Sequence, residues 1–209
     1  MGKRNGFFIT LLSLVPFLFL LYESSFSELC LFLFSALLHE AGHVFAIRSL
    51  GYRAGGMHLF PAGAVLSVKA DLIPYRRQLL LYLAGPFANF LCCGFALFLI
   101  RIHMTKDLLY FFFCNALLGL FNLLPVRGLD GERALSALFS QFASEEESVL
   151  RKSGAISAIT LFLLFVSGAF LFWKSRNPSL LLLCFFLLLE QTDKKKTSRQ
   201  KRKKATILS

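Results

Sequence analysis

Residues 31–47 read Leu-Phe-Leu-Phe-Ser-Ala-Leu-Leu-His-Glu-Ala-Gly-His-Val-Phe-Ala-Ile, an apolar run interrupted by two histidines and a glutamate. The run extends without proline from residue 27 to 49, and about 20 apolar residues in a helix cross the hydrocarbon core of a bilayer. It reads as a membrane span carrying ionisable groups. Such groups are costly in hydrocarbon, and by default they mark a functional site.

The rest of the chain has the same character. Of its 209 residues 56% are hydrophobic and 25 are Phe, too apolar for a soluble globule to cover its core with polar surface. Hydropathy predicts further spans near residues 6–22, 77–99, 108–125, 154–173 and 178–190. The expected fold class is therefore an all-α polytopic membrane protein of about six transmembrane helices. Lys3 and Arg4 followed by the apolar run Phe7 to Tyr22 begin like a signal peptide, but Glu23-Ser24-Ser25-Phe26 offers no small-x-small cleavage site, so this run counts as a span. The net charge is +11, and on this topology all of the 23 basic residues except Arg101, Lys106, Lys174 and Arg176 fall on one side. The positive-inside rule makes that side, and both termini, cytoplasmic. A bacterial inner or plasma membrane is the expected location. Cys30, Cys92, Cys93, Cys114 and Cys184 all lie in apolar runs without ligand spacing and read as small hydrophobes.

Between the second and third spans, residues 51–68 are too rich in Gly and Pro for a helix and too apolar for an ordinary loop. Two readings stand: a membrane-associated hairpin or re-entrant loop, or a cytoplasmic connector folded as a β-hairpin. The tail from Lys194 to Lys204 carries eight positive charges in eleven residues. It reads as an anchor on anionic lipid, with no nucleic-acid partner. Residues 1–193 then form one membrane domain and 194–209 a basic cytoplasmic tail.

His39-Glu40-Ala41-Gly42-His43 is an H-E-x-x-H pattern. Residues four apart on a helix differ by about 40° of arc, so both imidazoles face one cation while the glutamate can hold a water. Catalytic zinc takes three protein ligands and keeps one position open. Ala46 and Ser49 exclude a nearby third histidine, and no Glu occurs between Glu40 and Glu132. On the expected topology, Asp130 and Glu132 lie on the correct side at the end of the fourth span, with His58 and Asp71 flanking the 51–68 segment. Pro125 breaks the helix ahead of Asp130, and Gly128 and Gly131 let the backbone turn.

The H-E-x-x-H motif, together with Asn122-Leu-Leu-Pro-Val-Arg-Gly-Leu-Asp130-Gly131 and Gly85-Pro86-Phe-Ala-Asn89, resembles the site-2 protease family of intramembrane zinc metalloproteases. The likeness covers residues 27–142 and is greatest to the sporulation branch. It implies zinc held by His39, His43 and Asp130, with Glu40 as the general base. It places Asn122 near the substrate as a catalytic residue that donates to the oxyanion or fixes the substrate backbone, and Asn89 in reach of the substrate or of a hydrogen bond between spans. The implied reaction is hydrolysis of a peptide bond in or near a transmembrane segment of a membrane-associated protein, such as a regulatory or sigma-factor precursor. Phe60 and Val65 in the 51–68 segment are expected to contact that substrate through strand addition. Two alternatives are a metal or ion transporter, against which the lack of an internal repeat speaks, and a non-catalytic membrane-binding homologue, against which Glu40 speaks. The oligomeric state is not legible.

Overall fold

The computed structural model describes residues 25–52, 55–60, 63–67, 73–142, 146–176, 178, 180–185 and 187–188. The expected first span, Asp71 and the basic tail lie outside the described residues.

Helix α1 (Phe26–Ser49) begins at a capping box, in which the Ser25 hydroxyl accepts from the Glu28 N–H and the Glu28 carboxylate accepts from the Ser25 N–H. It stops at Gly51, whose φ of 78° favours glycine. There the Gly51 and Tyr52 N–H groups close back onto the Arg48 and Ile47 carbonyls at 3.0 Å each, a Schellman ending. Strands β1 (Gly55–Phe60) and β2 (Gly63–Ser67) pair antiparallel with His58 opposite Val65 and a register irregularity between Gly55 and Met57. A strand pair thus joins the helices of the expected all-α class.

Helix α2 (Tyr75–Ile102) contains Pro86, which removes one backbone donor and loosens the turn before it. Helix α3 (Lys106–Asn122) is capped by the Thr105 hydroxyl, which accepts from the Leu108 N–H. Helix α4 (Asp130–Ser140) was not expected. It is short and buries one stripe, Asp130, Gly131, Ala134 and Ala137, at helical spacing. Helix α5 (Glu146–Ser175) follows, and residues 180–185 are again helical.

Within these, Phe26–Ser49, Tyr75–Ile102 and Ser148–Lys174 are long and apolar enough to cross a membrane. Helix α3 is apolar as well, but its 17 residues measure only about 25 Å. The expected second, third, fourth and fifth spans correspond to α1, α2, α3 and α5. Three described helices thus meet the length and composition of a span, where six spans were expected.

Helix α2 is the centre of the assembly, packing against α1, α3 and α4, while α5 packs on α4. Large apolar side chains cover the outside as well as the core, and several polar ones are buried with the core. Leu37, Phe45, Phe87, Leu91, Phe95, Phe98, Leu117 and Phe162 all point outward, whereas Ser35, His39, Asn89, Asn115, Asp130, Ser153 and Ser157 are buried. Lipid chains solvate the outer surface as well as leucine would. Association therefore rests on close packing and on hydrogen bonds between helices.

Candidate metal centre

Two helices carry the potential ligands and a third holds them in place. His39 and His43 stand one turn apart on α1, with their rings edge to face and centroids 4.9 Å apart. Asp130 opens α4, so its carboxylate sits at the positive end of that helix. Its Oδ2 lies 3.0 Å from the Nε2 of each histidine, and the two Nε2 atoms are 3.3 Å apart. The other carboxylate oxygen is 3.7 Å from Arg133. His39 and Asp130 are 6% exposed, and the His43 side chain, at 13%, is the more open corner of the triangle.

The outer ring nitrogens decide what the inner ones can do. Nδ1 of His43 is 2.8 Å from the Leu81 carbonyl, and Nδ1 of His39 is 2.8 Å from the side-chain oxygen of Asn89. Each of these partners only accepts, so each Nδ1 carries the proton. In the neutral rings both Nε2 lone pairs are then bare and aimed at a carboxylate oxygen. With both rings neutral, these three electron-rich atoms at 3.0–3.3 Å repel one another unless a cation, a metal ion or the proton of an imidazolium, sits among them. A tetrahedral zinc with ligands at 2.0–2.1 Å sets those ligands about 3.3 Å apart, which the triangle nearly matches. Among the described residues, His39, His43 and Asp130 are the one group of His, Cys, Asp and Glu placed to hold a metal ion.

Close backbone approach makes this geometry possible. A Cβ on Gly85 would collide with Nε2 of His43 and come within 2.7 Å of Nε2 of His39, so α2 presents bare backbone to the ligands. A Cβ on Gly42 would meet the Ala84 carbonyl at 2.6 Å and the Ala88 side chain at 2.7 Å, which keeps α1 against α2. Gly131 faces the Leu123 and Leu124 carbonyls with equally little room, which folds α4 back onto the end of α3.

The connection from Leu123 to Leu129 aims Asp130. Gly128, at a φ of 111°, makes the turn. Val126 is fully buried against Leu161 and Leu187, and the Arg127 N–H donates to the Ser157 hydroxyl of α5 at 2.9 Å.

Other residues marked in the sequence take separate positions. Glu40 follows His39 on α1 and is half-buried. Glu132 accepts from Ser136 at 3.1 Å and is outside the metal-binding group. Asn122 donates to the Leu118 carbonyl one turn earlier, at 3.0 Å. Asn89, expected in reach of the substrate or of a hydrogen bond between spans, is fully buried and makes the second, donating to Asn115 of α3 and meeting the His39 ring. Phe60 lies on β1 and Val65 on β2. Sequence reasoning passed over Ser35 and Asn115, both fully buried; Asn115 accepts from Asn89 and donates to Ser35. Ser35 carried a signal, since it stands one turn before His39 on the same helical stripe.

Fold and site define a bundle of membrane-type helices around a buried His-His-Asp group. The model of peptidase family M50 matches residues 99–167, a stretch that includes Asn122 to Gly131 and leaves out the histidine pair. Zinc metalloprotease MJ0392 of Methanocaldococcus jannaschii is 33% identical over 113 residues, which make up 51% of this chain and 32% of that protein. The chain thus spans about a third of the length of that curated relative. A solved structure, the site-2 protease from Methanocaldococcus jannaschii, superposes with a TM-score of 0.65 over 88% of this chain and 86% of that one, at 24% identity. That likeness carries the fold. Taken together, the comparisons make the chain similar to M50 peptidases in part of its sequence and to a site-2 protease in fold, and the sporulation branch goes beyond them.

Proposed function

We propose that this chain is a zinc-dependent intramembrane metallopeptidase that hydrolyses a peptide bond in or near a transmembrane segment of a membrane protein. The observation that carries this reading is the convergence of Nε2 of His39, Nε2 of His43 and Oδ2 of Asp130 within 3.0–3.3 Å, a spacing that a zinc ion fits. Bound there, zinc supplies Lewis acidity to a peptide carbonyl and to a water. Glu40 takes the proton of the attacking water and returns it to the leaving amine. Asn89 holds the His39 ring, as part of the hydrogen bonding between spans that the sequence offered beside a substrate contact. Asn122, at the end of α3, is placed to steady the substrate backbone.

A transmembrane helix keeps its carbonyls in its own hydrogen bonds, so the substrate must unwind before it can be cut. The edge of the β1–β2 hairpin offers it strand pairing, with Phe60 and Val65 as contacts. The hairpin lies against the membrane from the cytoplasmic side. Both termini are cytoplasmic, the basic tail rests on anionic lipid, and the membrane is a bacterial plasma membrane. A sigma-factor precursor or another single-span regulator is the substrate class this orientation favours.

The reading is tested with Glu40→Gln, nearly the same shape but unable to take a proton. Wild type and variant are expressed with a single-span substrate, and both the cleaved fragment and the bound zinc are measured. Cleavage should fall by about 10²- to 10⁴-fold, with zinc near one ion per chain in both. Cleavage that persists in the variant would remove Glu40 from the chemistry, and a wild-type chain without zinc would remove the metal.

A further inference from the structure

Ser35 on α1, Asn89 on α2 and Asn115 on α3 form a continuous buried chain that ends on the His39 ring. The Ser35 hydroxyl donates to the Leu31 carbonyl at 2.8 Å. It accepts from the Asn115 amide at 2.9 Å, and the same amide nitrogen donates to the Phe111 carbonyl at 2.9 Å. The oxygen of Asn115 accepts from the Asn89 amide at 3.3 Å. The oxygen of Asn89 then meets Nδ1 of His39 at 2.8 Å. All three linking residues are at most 0% exposed, so no bulk water competes for these groups.

The direction of every bond in this chain is fixed at its far end. Backbone carbonyls only accept, so the Asn115 group facing Phe111 must be its NH₂, which leaves its oxygen toward Asn89. Asn89 must therefore present its own NH₂ to Asn115 and its oxygen to His39. The ring has to answer with N–H at Nδ1, which in the neutral ring leaves the Nε2 lone pair bare.

We infer that Ser35 and Asn115 are positioning residues for the metal centre, which through Asn89 hold His39 in the one tautomer that can ligate a metal. This rests on the zinc reading of the site. The competing tautomer places the proton on Nε2, where it donates to Asp130 at 3.0 Å. That closes the site without a metal and satisfies the carboxylate. In exchange, two acceptors, Nδ1 of His39 and the Asn89 oxygen, face each other in a dry interior, which the relay forbids. Removing the relay admits this second state, and metal binding must then first undo it.

The test uses the full chain in micelles with ¹⁵N-labelled histidine. The ring tautomer is read by NMR in metal-free protein, and cobalt and zinc affinities are read by the cobalt visible spectrum and zinc competition. Asn115→Leu should yield mixed tautomers at His39 and weaken binding by about 10- to 100-fold, the usual cost of losing a partner behind a metal ligand. The effect should largely vanish in an Asn89→Leu background, because both substitutions cut the same chain. Ser35→Ala leaves the Phe111 carbonyl to orient Asn115, so it should act in the same direction more weakly, and Ser35→Thr should keep both readouts; Asn115→Ala tests the relay if Asn115→Leu does not fold. A single Nδ1–H tautomer and unchanged affinity in Asn115→Leu or Asn115→Ala would overturn the inference, even if thermal stability fell. A wild-type chain that takes up no metal would sink the zinc reading instead. The metal-free ring spectrum would still decide whether the relay sets the tautomer.

Discussion

Gly85 is where one methyl group bears most directly on the metal centre. Alanine is favoured over glycine within a helix by about 1 kcal/mol, so Gly85→Ala by itself would strengthen α2. Its Cβ would nevertheless enter the space of both Nε2 atoms. We predict that Gly85→Ala loses zinc and cleavage while the metal-free bundle stays folded. Gly94 on the same helix provides the control, since a Cβ there meets nothing within 4 Å. Gly94→Ala should keep full zinc and unfold at the same temperature or slightly higher. Metal analysis beside thermal unfolding separates the cases, and stoichiometric zinc in Gly85→Ala would contradict the close approach of α2 to the ligands.

At the level of elements, Asp130 is only as well placed as the connection before it, and α5 secures that connection through Ser157. The hydroxyl is 1% exposed and accepts from the Arg127 N–H, so Ser157→Ala would leave a buried donor unsatisfied at a cost of about 1–3 kcal/mol. Zinc affinity should fall although no ligand is touched, whereas Ser167→Ala, at an exposed hydroxyl bonded within its own helix, should change nothing. Equal affinity in Ser157→Ala would mean that α5 does not hold the ligand loop. The hairpin allows a separate test: photocrosslinkers at Phe60 or Val65 should capture the substrate near its cleavage site, and capture at the basic tail alone would make the tail the docking surface.

These elements also differ in how far the sequence announces them. Helices α1, α2, α3 and α5 are legible because each is a long apolar run, and the histidine pair because four residues make one turn. Helix α4 is not, since its 11 residues mix charges with a stripe of alanines that hydropathy does not register. Asp130 emerges only through elimination and family likeness, because it meets His39 across 91 positions of sequence. Ser35 and Asn115 meet across 80 positions, and nothing local marks which polar residues of two spans will face each other.

Across the whole molecule, the ligand triangle ties α1 to α4, with α2 packed between them, so zinc should act as a clamp on the bundle. A ligand that binds the folded state alone stabilises it by about 4 kcal/mol when its free concentration exceeds Kd a thousandfold. The histidine pair lies on one helix and retains some affinity in the unfolded state, which reduces this gain. For a chain of this size each kcal/mol shifts the unfolding midpoint by about 2–4 °C, so chelation should lower it by on the order of 10 °C in micelles. Zinc should restore the midpoint and magnesium should not, because two imidazole nitrogens suit zinc and a hard cation prefers oxygen. Asp130→Ala removes the ligand from α4, so its midpoint should already be low and respond little to either chelator or zinc. If the wild-type midpoint moves with neither, His39, His43 and Asp130 hold no metal under those conditions, and the hydrolytic chemistry proposed for them falls with it.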